Sequence, residues 1–143
     1  MPDVRMVAGA AAGAAAAAVW AAQEPLDIRV FGVRYSDTEL LAKPFGGTRA
    51  AGWAAHVANG AIFGVAYSAV ASRLAGPGLA KGAAAGMAEN LATWPLTRFV
   101  PGVELWGNRR AFWQAVWRHL LFGALLGVME ERLARGYAGR TPG

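Results

Sequence analysis

Residues 50–71 read AAGWAAHVANGAIFGVAYSAVA. Wound as an α-helix at ~1.5 Å per residue, this apolar run is long enough to cross a hydrocarbon core of ~30 Å. Its reading decides the fold because three more runs resemble it: Met6–Ala22, Leu79–Val100 and Ala111–Met129. The expectation is an all-α four-helix transmembrane bundle, a single integral membrane domain over 1–143, with spans at about 5–22, 50–71, 79–100 and 111–129. A soluble Ala-rich helical bundle stays open, since the mean hydropathy is only +0.29 and Lys81, Glu89 and Arg118 lie inside the runs. Against it, a soluble bundle should carry a polar stripe along each helix, and these runs carry none. A second alternative makes Met6–Ala22 a cleaved signal peptide behind Arg5, although Val19-Trp20-Ala21 is a poor cleavage site.

Composition removes several function classes. The 143 residues include no cysteine, which excludes a disulfide framework, a thiolate nucleophile and Cys-ligated zinc or iron-sulfur clusters. The net charge is +5, but the basic residues sit between apolar runs and form no basic face or arm, so nucleic acid is not an expected partner. No catalytic motif and no metal-ligand spacing stands in the chain. The protein reads as a non-enzyme whose partners are the lipid bilayer and either further copies of itself or another membrane subunit.

An internal repeat is visible when Gly9-Ala-Ala-Ala-Gly13, followed by Trp20, is laid over Gly82-Ala-Ala-Ala-Gly86, followed by Trp94. Each copy opens a second helix of related pattern: His56, Gly60 and Gly64 are spaced by four, as are His119, Gly123 and Gly127. The spacing predicts two helical hairpins in parallel orientation, repeat one over 5–74 and repeat two over 78–133. Every span thus carries G-x-x-x-G (Gly9/Gly13, Gly60/Gly64, Gly82/Gly86, Gly123/Gly127). Residues four apart share a helix face, and small residues there let helix backbones approach closely in lipid.

Let side A carry both termini and the loop near Arg73–Gly78, and side B the loops 23–48 and 101–109. All six tryptophans (Trp20, Trp53, Trp94, Trp106, Trp113 and Trp117) then fall toward side B. They read as an interfacial anchor belt or as the rim of a vestibule. In the first side-B loop, Ser36-Asp37-Thr38-Glu39 has the capping-box form and predicts a short helix over 37–43, stopped before Pro44 and carrying Leu40, Leu41 and Phe45 as an apolar lid or anchor. In the second, Asn108 is placed to cap span four.

Ionisable residues inside a membrane are costly unless paired, hydrated or snorkelling. By helical rise, His56 lies ~10 Å from Arg49, Glu89 ~14 Å from Arg98, and Arg118 and His119 ~12 and ~14 Å from Arg110, all in the side-B half. Asn59 and Asn90 occupy neighbouring depths. The expectation is a polar cluster of His56, Glu89, Arg118, His119, Asn59 and Asn90 open toward side B, with Glu89 and Arg118 as its ion pair. Such a cluster would pass or sense protons or a small polar solute. The alternatives are a structural or partner-binding subunit, in which the polar groups only fix helix register, and haem-linked electron transfer through His56 and His119. No cofactor is expected outside that last case.

The order of a Gly-rich helix, Glu24-Pro25-Leu26, a long loop, His56 followed by Phe63 and Tyr67, a second Gly-rich helix ending in Trp94-Pro95-Leu96, and a last span with Trp117-Arg118-His119 resembles the YagU-like bacterial inner-membrane proteins. It is also similar to small four-span membrane proteins of high-GC bacteria. The resemblance implies a multi-pass protein of the bacterial inner (cytoplasmic) membrane with both termini cytoplasmic, and a link to acid or envelope stress. It carries no residue roles. Lys and Arg are near-evenly divided between the two sides, so charge does not fix the orientation.

Overall fold

The computed structural model describes residues 2–100 and 104–139. These form five α-helices and no strand: α1 (Pro2–Phe31), α2 (Asp37–Ala42), α3 (Arg49–Ala71), α4 (Gly78–Thr93) and α5 (Arg109–Ala138). Two of them, α1 over Val4–Phe31 and α3 over Arg49–Ala71, are long and apolar enough to cross a membrane. The 16 residues of α4 reach only ~24 Å. In α5, Gln114, Arg118 and His119 interrupt the apolar stretch.

The expected span 79–100 is shorter as an α-helix because Pro95, which has no N–H to donate, turns Trp94–Phe99 into a 3-10 helix. The loop expected over 23–48 is also corrected. Helix α1 runs nine residues into it, straight through Pro25, and stops only at Gly32 (φ +70°), whose N–H donates to the Ile28 carbonyl at 2.9 Å. Pro25 is exposed, whereas Glu24 and Asp27 on the opposite face are buried, so packing of that face offsets the lost backbone bond. Beyond the loop, Ser36 caps α2 by accepting from the Glu39 N–H (3.2 Å). A 3-10 turn over Lys43–Phe45 then carries the chain through Pro44. Thr48 caps α3 through the Ala51 N–H (3.2 Å). Asn108 caps α5 as expected, its side-chain oxygen accepting from Arg110 and Ala111 N–H groups at 3.0 and 3.2 Å. Within the second side-B loop, Pro101–Val103 lie outside the described residues.

Helix α1 packs between α3 and α5, and α5 between α1 and α4, whereas α3 and α4 hardly touch. The helices therefore form an open row in the order α3, α1, α5, α4. Ala8, Ala12 and Ala16, all fully buried, give α1 a flat inner face. Ala17, Trp20, Tyr67, Phe122 and Leu126 complete the core.

Two seams have no room for a side chain. A Cβ on Gly13 would strike the Gly60 carbonyl, and one on Gly9 the Gly64 carbonyl and Ser68 Oγ. Between α4 and α5, Gly82 meets the Gly123 carbonyl, Gly78 the Gly127 carbonyl and Gly86 the His119 carbonyl. If α3 is laid on α5 by the shared His-Gly-Gly spacing, the partners of Gly9 and Gly13 in α3 match those of Gly78 and Gly82 in α5. The match of Gly9 and Gly13 with Gly82 and Gly86 read from the sequence is one helical turn out of step with the contacts.

Candidate functional site

Arg118 is fully buried, and its partners differ from those expected. Its guanidinium forks onto the Asp27 carboxylate, Nε to Oδ2 and Nη2 to Oδ1, both at 2.7 Å. Nη1 donates to Asp37 Oδ2 at 2.7 Å and stands 3.8 Å from Glu24 Oε1. Nη2 also reaches the Tyr35 carbonyl (3.2 Å), and the Tyr35 ring lies under the guanidinium at 4.5 Å. The expected Glu89–Arg118 pair is therefore absent. Because α1 continues past Pro25, Trp20, Glu24 and Asp27 share one buried helix face against Gln114 and Arg118 of α5. That i, i+4, i+7 spacing facing an i, i+4 pair was the available signal.

The remaining polar groups fasten this clasp. Gln114 donates to Asp27 Oδ1 at 2.7 Å and to the Val33 carbonyl at 3.3 Å. Gln23 donates to Asp27 Oδ2 at 2.7 Å and accepts from the Trp117 indole at 3.1 Å. Glu24 accepts from Ser36 Oγ at 2.6 Å and from the Asp37 N–H at 2.9 Å, tying α1 to the start of α2. Burial and the neighbouring Asp37 carboxylate push the Tyr35 phenol well above its ordinary range, against the opposing pull of Arg118.

Five of the six expected cluster residues do share one space. His56, Asn59, Glu89, Asn90 and His119 line a cavity of about 300 Å³, together with Trp20, Asp37, Leu40 and Leu41. Arg118 does not line it. Trp20 is only 6% exposed, so it is a core residue and not part of an interfacial belt. Its indole donates to Asp37 Oδ2 at 3.1 Å and meets both imidazoles edge to face, with ring centroids 5.3 Å away at His56 and 4.8 Å at His119. His119 Nδ1 bonds the Ala115 carbonyl at 2.8 Å. His56 Nε2 and Asn90 Nδ2 are buried with no hydrogen-bond partner. Among the described residues the Glu89 carboxylate forms neither an ion pair nor a hydrogen bond. No group of three His, Asp or Glu side chains among them is arranged to hold a metal.

Of the other tryptophans, Trp106, Trp113 and Trp117 are about half exposed. Trp94 packs against Trp106 and Phe112, and Trp53 borders the open space beside α2. On side A a smaller buried site joins three helices. Glu130 of α5, 2% exposed, accepts from Ser68 Oγ of α3 at 3.3 Å and pairs with Arg5 of α1 at 3.4 Å.

No family model matches the chain, and no curated protein or solved structure matches it either.

Proposed function

We propose that this is a non-enzymatic protein of the bacterial inner membrane whose side-B cavity takes up protons or a small polar solute, for passage or for sensing. The observation that carries the reading is the unpartnered Glu89 carboxylate sharing one cavity with His56 and His119. Groups that bind and release protons are thereby gathered at one depth. The charge on the cavity wall narrows the solute. Asp37 and Glu89 both face it, while the guanidinium of Arg118 is taken up by Asp27 and Asp37. A proton or a cation suits such a wall better than an anion.

Membrane residence is supported by the length and apolar character of α1 and α3 and by two glycine seams of the kind that hold helices together in lipid. In this reading all four long helices belong to the membrane bundle, duplicated from one hairpin, with both termini cytoplasmic and the cavity facing outward. The shortness of α4 is met by the 3-10 segment that extends it toward side B.

The test follows internal pH in liposomes containing the protein after a proton gradient is imposed, with Glu89→Gln as the control. Flux in the wild type that disappears in the variant supports the reading. Folded protein with no flux above empty liposomes removes passage and leaves sensing or a structural subunit, the latter of which the open side of the helix row between α3 and α4 also favours.

A further inference from the structure

The gap between α3 and α4 is an apolar groove of about 810 Å³, walled by Phe63, Tyr67, Ala84 and Ala88, with Lys81 toward one end and Glu89 toward the other. This volume lies in the range of sites for small organic ligands, ~300–1,000 Å³. Phe63, Glu89 and Thr93 border both this groove and the side-B cavity. Glu89 is thus the one carboxylate that borders both spaces. The two ends differ in how their charges are met. Lys81 donates to the Ala71 carbonyl at 3.3 Å, whereas Glu89 has no partner among the described residues. Ala84 and Ala88 are exposed, so this wall is clear of the glycine seams.

The geometry points to a binding site for a small lipophilic organic cation, its charged centre at Glu89 and its apolar body along α3 and α4. Charge complementarity to the unpartnered Glu89 selects the cation, and Phe63 and Tyr67 add aromatic surface to the lining of the same groove. The alanine wall gives the body a smooth surface at little cost in side-chain ordering. The proposal shares Glu89 with the proton-passage reading but needs no flux. Binding can persist where transport fails, and transport can persist where binding fails.

The experiment is equilibrium dialysis of the full chain in an uncharged maltoside detergent against tetraphenylphosphonium, with tetraphenylborate as an anion of the same shape. The expected result is saturable binding of the cation, at least ten-fold weaker in Glu89→Gln and abolished in the groove-filling Ala88→Phe, both checked for wild-type helical content by circular dichroism. Borate binding as tight as phosphonium binding would make the groove an unselective face for lipid chains and overturn the proposal. Unchanged affinity in Glu89→Gln would overturn it too. So would folded wild-type protein that binds no cation, whether or not a second copy covers the groove.

Discussion

Arg118 and Asp27, 91 residues apart in sequence, form a two-pronged ion pair with both bonds at 2.7 Å, and neither residue is more than 2% exposed. A fork of this geometry fixes the depth and rotation of α5 against α1 together, because both bonds must align with one carboxylate plane. Asp37, at the start of α2, is held by the same guanidinium and by the Trp20 indole, and it also lines the cavity. The clasp thereby sets the position of the segment that covers the two imidazoles.

Removing the cation should be far more damaging than shortening it. Arg118→Ala leaves Asp27 and its acidic neighbours buried without compensation, a situation that costs about 3–5 kcal/mol. Arg118→Lys keeps the charge but loses the fork and should fall between the variant and the wild type. Denaturant titration followed by circular dichroism checks both. Wild-type stability in Arg118→Ala would show that the clasp contributes little to the fold.

The glycine seams make a prediction in which the sign is the test. Glycine to alanine inside a helix ordinarily stabilises, by about 1 kcal/mol. Gly136 lies in α5 with nothing within 4 Å of an added Cβ, so Gly136→Ala should raise the melting temperature slightly. At Gly13 and Gly82 the added carbon strikes a carbonyl of the facing helix. Those variants should lose about 1–3 kcal/mol through overpacking. Thermal unfolding of the three alanine variants side by side decides it.

The parts of this fold legible in the sequence are those set by local bonding rules. Ser36 and Asn108 were readable as helix starts because a cap needs only a side-chain oxygen and the N–H groups two or three residues on. The grouping of His56, Glu89 and His119 around one cavity was readable because helical rise alone brings them to a common level of the bundle. The acid clasp was not, because it depends on α1 surviving Pro25. Pro95 interrupts α4 while Pro25 leaves α1 intact, and the difference is tertiary: Pro25 is exposed opposite a face that Gln114 and Arg118 clamp. Once Glu24 and Asp27 were assigned to a loop, Glu89 was the carboxylate left for Arg118. The register of the α4–α5 seam was not legible either, for a related reason. Repeating glycines four apart permit several one-turn shifts, and only side-chain packing elsewhere chooses among them.

Ser36 links two helices through one hydroxyl, capping α2 at the Glu39 N–H while donating to Glu24 of α1. Ser36→Ala should destabilise by about 0.5–2 kcal/mol and loosen α2 locally. Hydrogen exchange should therefore accelerate over Asp37–Ala42 and leave α4 unchanged. Equal protection of α2 in variant and wild type would show that its contacts with α3 hold it without the cap.

Tyr35 gives the fold an alkaline limit. Burial holds its phenol above the ordinary value of 10.0, so the native state keeps this proton at a pH where the unfolded chain has released it. By linkage, the contribution of Tyr35 is fully present below pH 10 and is lost as the pH rises from there toward the folded value. Denaturant midpoints should therefore decline with pH above 10 in the wild type, and the decline should be shallower in Tyr35→Phe, which keeps the ring against Arg118 but has no proton to release. Absorbance at 295 nm offers an independent check, because the phenolate of Tyr35 should appear together with unfolding and not before it. A phenolate signal that rises in full while the helical signal is intact would mean that the ring is more open to water than its burial beside Arg118 implies.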